Sequence, residues 1–310
     1  MRIQKVSIAL VFTLMFALAF TLMLTLLAGK TAPEPKTGQI GKAFAAQPPT
    51  ATFAKEKAGR DGARMVLIPA GEFQMGSNDS DDDGDESPVY TVYLDAFYMD
   101  MYEVTNEQYA RFLNQYGSIS DDSGRRLIRV GDGDCFIEKV GNTYRPKWGC
   151  GDRPVAYVSW YGAAEYAHFY GKRLPTAAEW EKAARGGLVG KKYPWGDSIS
   201  HYDANYGGPG GKGMWKGTSP VGSFPPNGYG LYDMAGNVGE WCADWYGRGY
   251  YTSSPKANPV GPGSGNYRVL HGGSWLCNTN GLRAANRGMG FPTSTYSCHW
   301  GFRCVEDVIP

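Results

Sequence analysis

The sequence predicts one loop-rich domain that mixes short strands with a few helices, and three observations carry that reading. Gly 43 and Pro 19 among 310 residues supply turn formers along the whole chain. Runs rich in aromatic and β-branched residues are short and bounded by turn residues, as strands are. Helical signals are few, and two of them are announced by a capping box. With 42% hydrophobic residues the chain can bury a sizeable core, and neither an internal repeat nor a second folded domain is visible.

The chain opens with Arg2 and Lys5 ahead of an uncharged run from Val6 to Gly29, long enough to cross a bilayer. That run exceeds the roughly 7 to 15 apolar residues of an ordinary signal peptide. Two readings stand: residues 1–29 are a signal-anchor helix that stays, or a long signal peptide cut after a small-x-small triplet such as Ala43-Phe44-Ala45. Either way the basic side remains cytoplasmic and the chain beyond the run is exported. The expected location is extracytoplasmic, periplasmic or cell-surface, tethered to the membrane through the N-terminal helix or else secreted.

Residues 30–63 are rich in Pro, Ala, Lys and Gly without apolar periodicity and read as a flexible linker. The folded domain is expected over 64–310. "MVLIPAGEFQMGS" gives a strand, a turn at Pro69-Ala70-Gly71 and a second strand, and "VYTVYLDAFYMDMYEVT" reads as a further strand run. Thr105 and Gln108 form a capping box ahead of Tyr109, Phe112 and Leu113 on one helical face. "SWYGAAEYAHFYG" is a second helix ending at Gly171. Thr176 and Glu179 cap a third, "AEWEKAAR", which stops at Gly186-Gly187. After Gly187 a long loop-rich stretch needs bound cations, disulfides or aromatic packing to hold it, and Trp195, Trp215, Trp241 and Trp245 offer the last.

Charge excludes one class of partner. Removing residues 1–46 takes away five basic residues and one acid, leaving 26 against 29 and a formal balance of −3. No basic cluster interleaved with aromatics makes a track for nucleic acid. Six cysteines (Cys135, Cys150, Cys242, Cys277, Cys298, Cys304) in an exported chain permit 15 full disulfide pairings. Clustered Cys/His spacing for structural zinc is absent, as are HExxH, GxSxG and P-loop signatures. "DSDDDGDES" starts like a calcium loop at Asp79, Asp81, Asp83 and Gly84, but Tyr90 stands at the twelfth position, so a solvated acidic loop is the simpler reading. Arg283 and Arg287 read as buried partners of structural acids.

Taken in order, "MVLIPAGEFQMGS", "DAFYMDMYEVTNEQYARFL", "RPVAYVSWYGAAEYAHFYGKRLPTAAEWEKAARGG", "YPWGD", "FPPNGYGLYDMAGNVGEWCADWY", "RVLHGGSW" and "GFRCV" resemble the formylglycine-generating enzyme family, or sulfatase-modifying factors. The resemblance runs from about Arg64 to Val305. It implies a single α+β domain of low secondary-structure content, C-type-lectin-like, with bound calcium. In the oxidase members, it implies two cysteines that bind copper(I) and use oxygen to convert a sulfatase cysteine to formylglycine.

Carried over residue by residue, the resemblance puts one calcium site on Asp233, Gly236, Val238 and Glu240, a set of carboxylates and carbonyls suited to a hard cation. A second would use Asn205, Tyr206 and Trp215, with Gly213 standing where the family often has Asp. Cys277 occupies the first oxidase cysteine position, behind the pocket residue Ser274. The second position, five beyond, is Leu282. Gly239 stands where such oxidases carry Trp. Cys298, 21 residues after Cys277, is the residue that could pair with it, as a disulfide or as a copper ligand. Cys135 with Cys150 and Cys242 with Cys304 are further candidate pairs.

The expectation is therefore a calcium-stabilised domain that binds a peptide or protein ligand, such as a sulfatase, or serves an accessory role without the two-cysteine site. The alternative is a copper- and oxygen-dependent oxidase acting through Cys277.

Overall fold

The computed structural model describes residues 55–79, 84–131, 135–208 and 215–308. The chain divides into two units, Met1–Pro49 and Thr50–Pro310, and all the described residues belong to the second. The signal-anchor or signal-peptide reading of residues 1–29, the cleavage triplet, most of the linker and Gly213 lie outside the described residues. Among those described, no helix is long and apolar enough to cross a membrane.

One antiparallel sheet has the order β1 (Glu56–Ala58), β2 (Arg64–Ile68), β5 (Phe97–Asp100), β12 (Val305–Asp307). A second has the order β10 (Gly288–Gly290), β9 (Arg268–His271), β8 (Gly239–Trp245), β11 (Trp300–Gly301), in which β11 runs parallel to β8. Two hairpins complete the strands, β3 (Gly71–Met75) with β4 (Tyr90–Leu94), and β6 (Ile137–Val140) with β7 (Thr143–Pro146).

Two strand expectations need correction. β1 lies inside the stretch read as linker, so folded structure begins by Lys55 rather than at Arg64. Its sequence, EKA, carries no apolar pattern, because an edge strand held by main-chain bonds needs none. The run read as one strand breaks at Asp95-Ala96 into β4 and β5, which join different sheets; there the Asp95 main chain donates to Asn258 Oδ1 at 3.0 Å.

The three helices form where the sequence predicts them, two of them behind the expected capping boxes. α1 (Asn106–Tyr116) has the reciprocal Thr105/Gln108 box and ends at Gly117 in the left-handed conformation. It buries Tyr109, Phe112 and Leu113 against Tyr166 of α2 (Trp160–Phe169) and against Phe302. α3 (Ala177–Arg185) has the Thr176/Glu179 box and ends at left-handed Gly186.

Every residue of α3 is buried, including its charges. Lys182 Nζ donates to the carbonyls of Pro69 (2.7 Å) and Gly71 (2.9 Å), and Arg185 pairs with Glu181. Trp180, fully buried, therefore sits at the centre of the second core with Met99, Met234 and Val269.

The acidic segment also departs from expectation. Asp85 and Glu86 are buried rather than solvated, because Arg283 Nη2 donates to Glu86 Oε1 at 2.7 Å and Arg287 Nη1 to the Asp85 carbonyl at 2.7 Å. The reading of both arginines as partners of structural acids holds. Asp81 and Asp83 lie outside the described residues.

The long stretch after Gly187 is held by amide side chains and rings. Asn237 accepts from Ser219 N (2.9 Å) and donates to Glu103 Oε2 (2.6 Å), and Asn205 Nδ2 donates to the Gly217 carbonyl (2.9 Å). Trp195 stacks on Tyr193, Trp215 lies edge-on to Phe224, and Trp241 is fully buried.

Candidate functional site

β9 ends at His271 and leads into Gly272-Gly273, both at positive φ. A side chain at Gly273 would run into the Gly281 carbonyl, so only glycine lets the two loops lie this close. Beyond them Ser274 turns the chain back, its carbonyl accepting from Cys277 N at 2.9 Å. Cys277 Sγ comes to 3.4 Å from Ser274 Oγ. Both line a cavity of about 150 Å³ whose wall also includes Gly239, His271, Asn286 and Trp300.

Leu282, five residues beyond Cys277, is a core residue and not part of the cavity wall. Asn278 caps a short 3-10 turn, Thr279–Leu282, by accepting from Asn280 N at 3.1 Å. The turn drives Leu282 inward to 0% exposure beside Tyr206 and Ala235, in a cluster against which Cys277 packs. Cys298 is half-buried, its Sγ 3.8 Å from His299 Nδ1 and its carbonyl accepting from Trp275 Nε1. It is not among the cavity residues.

The expected cystines are not formed: all six cysteines are free. Several thiols turn onto nearby carbonyls instead, Cys135 to Ile137, Cys150 to Trp148 and Cys242 to Glu240. Cys242 and Cys304 belong to different core clusters.

Gly239 does not leave the cavity without an aromatic wall. Trp300 lies across it, its Cδ1 3.4 Å from where a Cβ on Gly239 would stand. Strand pairing of β11 to β8 puts Trp300 opposite Gly239, a relationship invisible in the linear sequence.

His271 has no precedent in the sequence reading. It is 1% exposed and stacks on Trp180 at 4.8 Å with 7° between planes. Burial, then the nearby Arg287 and Arg185, pushes its imidazole down to about 3, so it is neutral.

The residues expected to bind calcium lie in the segment before β8 and at its start. Asp233 and Asn237 hold the turn "DMAGN" at φ +57 each, a conformation that Asp and Asn tolerate. Gly236 packs against the Asn205 carbonyl, and Asn237 N donates to that carbonyl at 2.9 Å. The structure thus brings the 205–206 and 233–240 segments together. Trp215, from which only a carbonyl is expected, packs its ring on Phe224. Tyr206 stacks on His201 at 4.0 Å.

Glu240 is occupied by a cation already present. Arg303 donates to both its oxygens at 2.8 Å, and Trp180 Nε1 donates to Oε2 at 2.8 Å. Glu103, which sequence reasoning missed, is buried beside it and accepts from Asn237 and from Val238 N (3.1 Å). Burial, then Asp233 and Glu240, raises the Glu103 carboxyl well above its ordinary range. Asp233 is pushed up to about 6, chiefly by burial; its Oδ2 accepts from Gly222 N at 2.6 Å, and its Oδ1 is buried with no hydrogen-bond partner.

Three carboxylates therefore share one guanidinium in a buried cluster, and an unpaired oxygen faces no donor, which is the electrostatic setting of a cation site. Among the described residues no three His, Cys, Asp or Glu side chains are arranged to hold a metal by themselves. An ion at Asp233 would need main-chain carbonyls as its other ligands, and calcium accepts these. At the Cys277 cavity, a single sulfur with a hydroxyl beside it can bind or be modified; it does not form a two-thiolate copper site.

Comparison with known proteins agrees with this architecture. The model of the sulfatase-modifying factor enzyme 1-like domain matches residues 50–308. Serine/threonine-protein kinase pkn1 of Chlamydia pneumoniae is 44% identical over 246 residues, 79% of this chain and 38% of that protein. The chain thus spans well under half the length of that chlamydial relative. Formylglycine-generating enzyme of Streptomyces coelicolor is 38% identical over 290 residues, 79% of this chain and 89% of that enzyme. Among solved structures, PvdO from Pseudomonas aeruginosa superposes with a TM-score of 0.67 at 27% identity, covering 84% of this chain and all of that one. By the match of nearly its whole described length, the chain belongs to the sulfatase-modifying factor (formylglycine-generating enzyme) family.

Proposed function

We propose that this chain is an exported, membrane-tethered member of the family that binds a peptide or protein ligand at the Cys277 cavity and does not perform the oxidase reaction. The observation that supports the reading is the lack of a second thiol at the cavity: Leu282, five beyond Cys277 where the resemblance expects the second sulfur, is a fully buried core residue, and Cys298 is not among the cavity residues. Copper(I) favours soft thiolate ligands, and Cys277 alone offers one. Sulfatases enter as candidate ligands through the relatives named as formylglycine-generating enzymes. Export and tethering rest on the uncharged run from Val6 to Gly29 behind a basic start.

Calcium is part of the same proposal. Asp233 with the carbonyls of Gly236, Val238 and Asn205 would hold it, and the ion would offset the excess of buried negative charge. The unpaired Asp233 Oδ1 supports this assignment.

The deciding experiment incubates the purified full chain with copper(I), oxygen and a peptide containing CxPxR, and looks by mass spectrometry for conversion of the peptide cysteine to the aldehyde. No conversion is expected. Turnover that Cys277→Ser abolishes would establish the oxidase instead.

A further inference from the structure

Between the β4–β5 break, α2 and the start of α3 lies a cavity of about 630 Å³, within the about 300–1,000 Å³ of small-molecule sites. It shares no wall residue with the Cys277 cavity. Much of its wall is apolar: Leu94, Phe97 and Leu174 are exposed by 3% or less, and Trp160, Ala164 and Ala243 are half-buried beside them. Trp160 is held by its Nε1 bond to the Cys242 carbonyl at 2.8 Å.

The cations of this wall are already committed. Arg173 uses all of its N–H donors: Nε and Nη2 to Asp307 Oδ1 at 3.0 and 2.6 Å, Nη1 and Nη2 to the two oxygens of Glu179 at 2.7 Å each, and Nη1 to the Leu174 carbonyl at 3.3 Å. Lys172 is sealed from solvent, its Nζ donating to both oxygens of Asp61 and to Asp100.

The anions are not. Asp307, its side chain 70% exposed, is engaged through Oδ1 alone. Asp95, also exposed, accepts from Asn258 Nδ2 through Oδ2 at 2.8 Å and leaves Oδ1 free. Glu179 and Asp307 share one guanidinium, so the uncommitted charge on the wall is negative. An entering anion would meet no free cation and would lose its hydration uncompensated. An entering cation would be attracted, the more so as apolar walls displace water.

We propose that this cavity binds a small molecule with an apolar body and one cationic head, an aryl- or alkylamine, its body against Leu94, Phe97 and Leu174 and its ammonium at the free carboxylate oxygens of the wall.

The test titrates the full chain, isotopically labelled at its alanine methyls, with phenylbutylamine, phenylbutanol and phenylbutyrate, and reads the Ala164 and Ala243 resonances. It is run at about pH 8, where an exposed imidazole such as that of His168 on the same wall is neutral. The amine is expected to bind about fivefold or more tightly than the alcohol, and the carboxylate more weakly than either. Ala164→Trp, which fills the cavity, should abolish the shifts at Ala243, and Asp95→Asn with Asp307→Asn should bring the amine to the affinity of the alcohol. No shift with the amine, an amine no tighter than the alcohol, undiminished binding to Ala164→Trp, or an amine preference that survives the double substitution overturns the proposal.

Should Ala164→Trp fail to fold, Val260→Arg decides, at a wall position 67% exposed in the native chain. It should weaken the amine and strengthen the carboxylate, and an unchanged order of the three overturns the proposal. The copper assay reads the Cys277 cavity and leaves these affinities untouched, so the two proposals can fail separately.

Discussion

Arg303 and Glu240 form a two-point ion pair, Nε to Oε2 and Nη2 to Oε1 at 2.8 Å each, with both side chains essentially sealed from solvent. The same guanidinium donates to the carbonyls of Asp100, Met101 and Tyr232. One side chain thus ties β5 and β8 to the loop that carries Asp233, and it holds the carboxylate on which Trp180 is anchored.

Replacing it leaves Glu240 buried without its counter-charge. Arg303→Met is expected to cost about 3–5 kcal/mol, read as a lowered urea midpoint. A change within about 0.5 kcal/mol would mean the pair contributes little beyond its neighbours' packing.

Asp233 and Asp100 set a pH dependence. Burial raises each to about 6 from an ordinary 3.8, so the folded state holds these protons more tightly than the unfolded chain does. Their contribution to stability is complete below pH about 4 and is lost as pH rises through about 6. Because His271, held at about 3, contributes with the opposite sign, the fall is read in chelator on His271→Phe, whose thermal midpoint should drop between pH 5 and pH 7. Calcium should restore it at pH 7, where Asp233 is ionised, and do little at pH 5. Equal midpoints at pH 7 with calcium and with chelator would remove the calcium assignment.

Leu282→Ala should open a cavity beside Tyr206 and Ala235 and cost about 2–5 kcal/mol, measured by denaturant titration. A cost below about 1 kcal/mol would mean the loop from Asn278 collapses into the space.

Thr176→Ala removes one half of the box that starts α3 and should cost about 1 kcal/mol. Because α3 carries Trp180, the same substitution should also loosen the stack on His271, seen as a shift in the His271 ring resonances. Thr105→Ala, at the start of α1, should match the loss of stability and leave those resonances in place.

Much of the fold was legible because its signals are local. Both capping boxes and the glycine stops join residues within a few positions, and the structure has them where the sequence has them. The strands were legible where they alternate and pack, as at Val92 and Leu94, and not at β1, whose EKA pairs through its main chain alone. The places of Cys277, Ser274 and Leu282 were suggested by the family resemblance, and the structure puts Cys277 and Ser274 on one cavity.

The tertiary structure decided what surrounds them. Glu240 meets Arg303 across 63 residues, Glu86 meets Arg283 across 197, and Trp300 covers Gly239 only because β11 pairs with β8. His271 acquires its place at the cavity from the ring of Trp180, on another element. By itself the sequence determined the family and the helices, since motifs and caps within short segments encode each. Which charges are buried together, which ring walls the cavity and which polar atoms stay unpaired were settled by chain packing, because those contacts join segments that no local pattern relates.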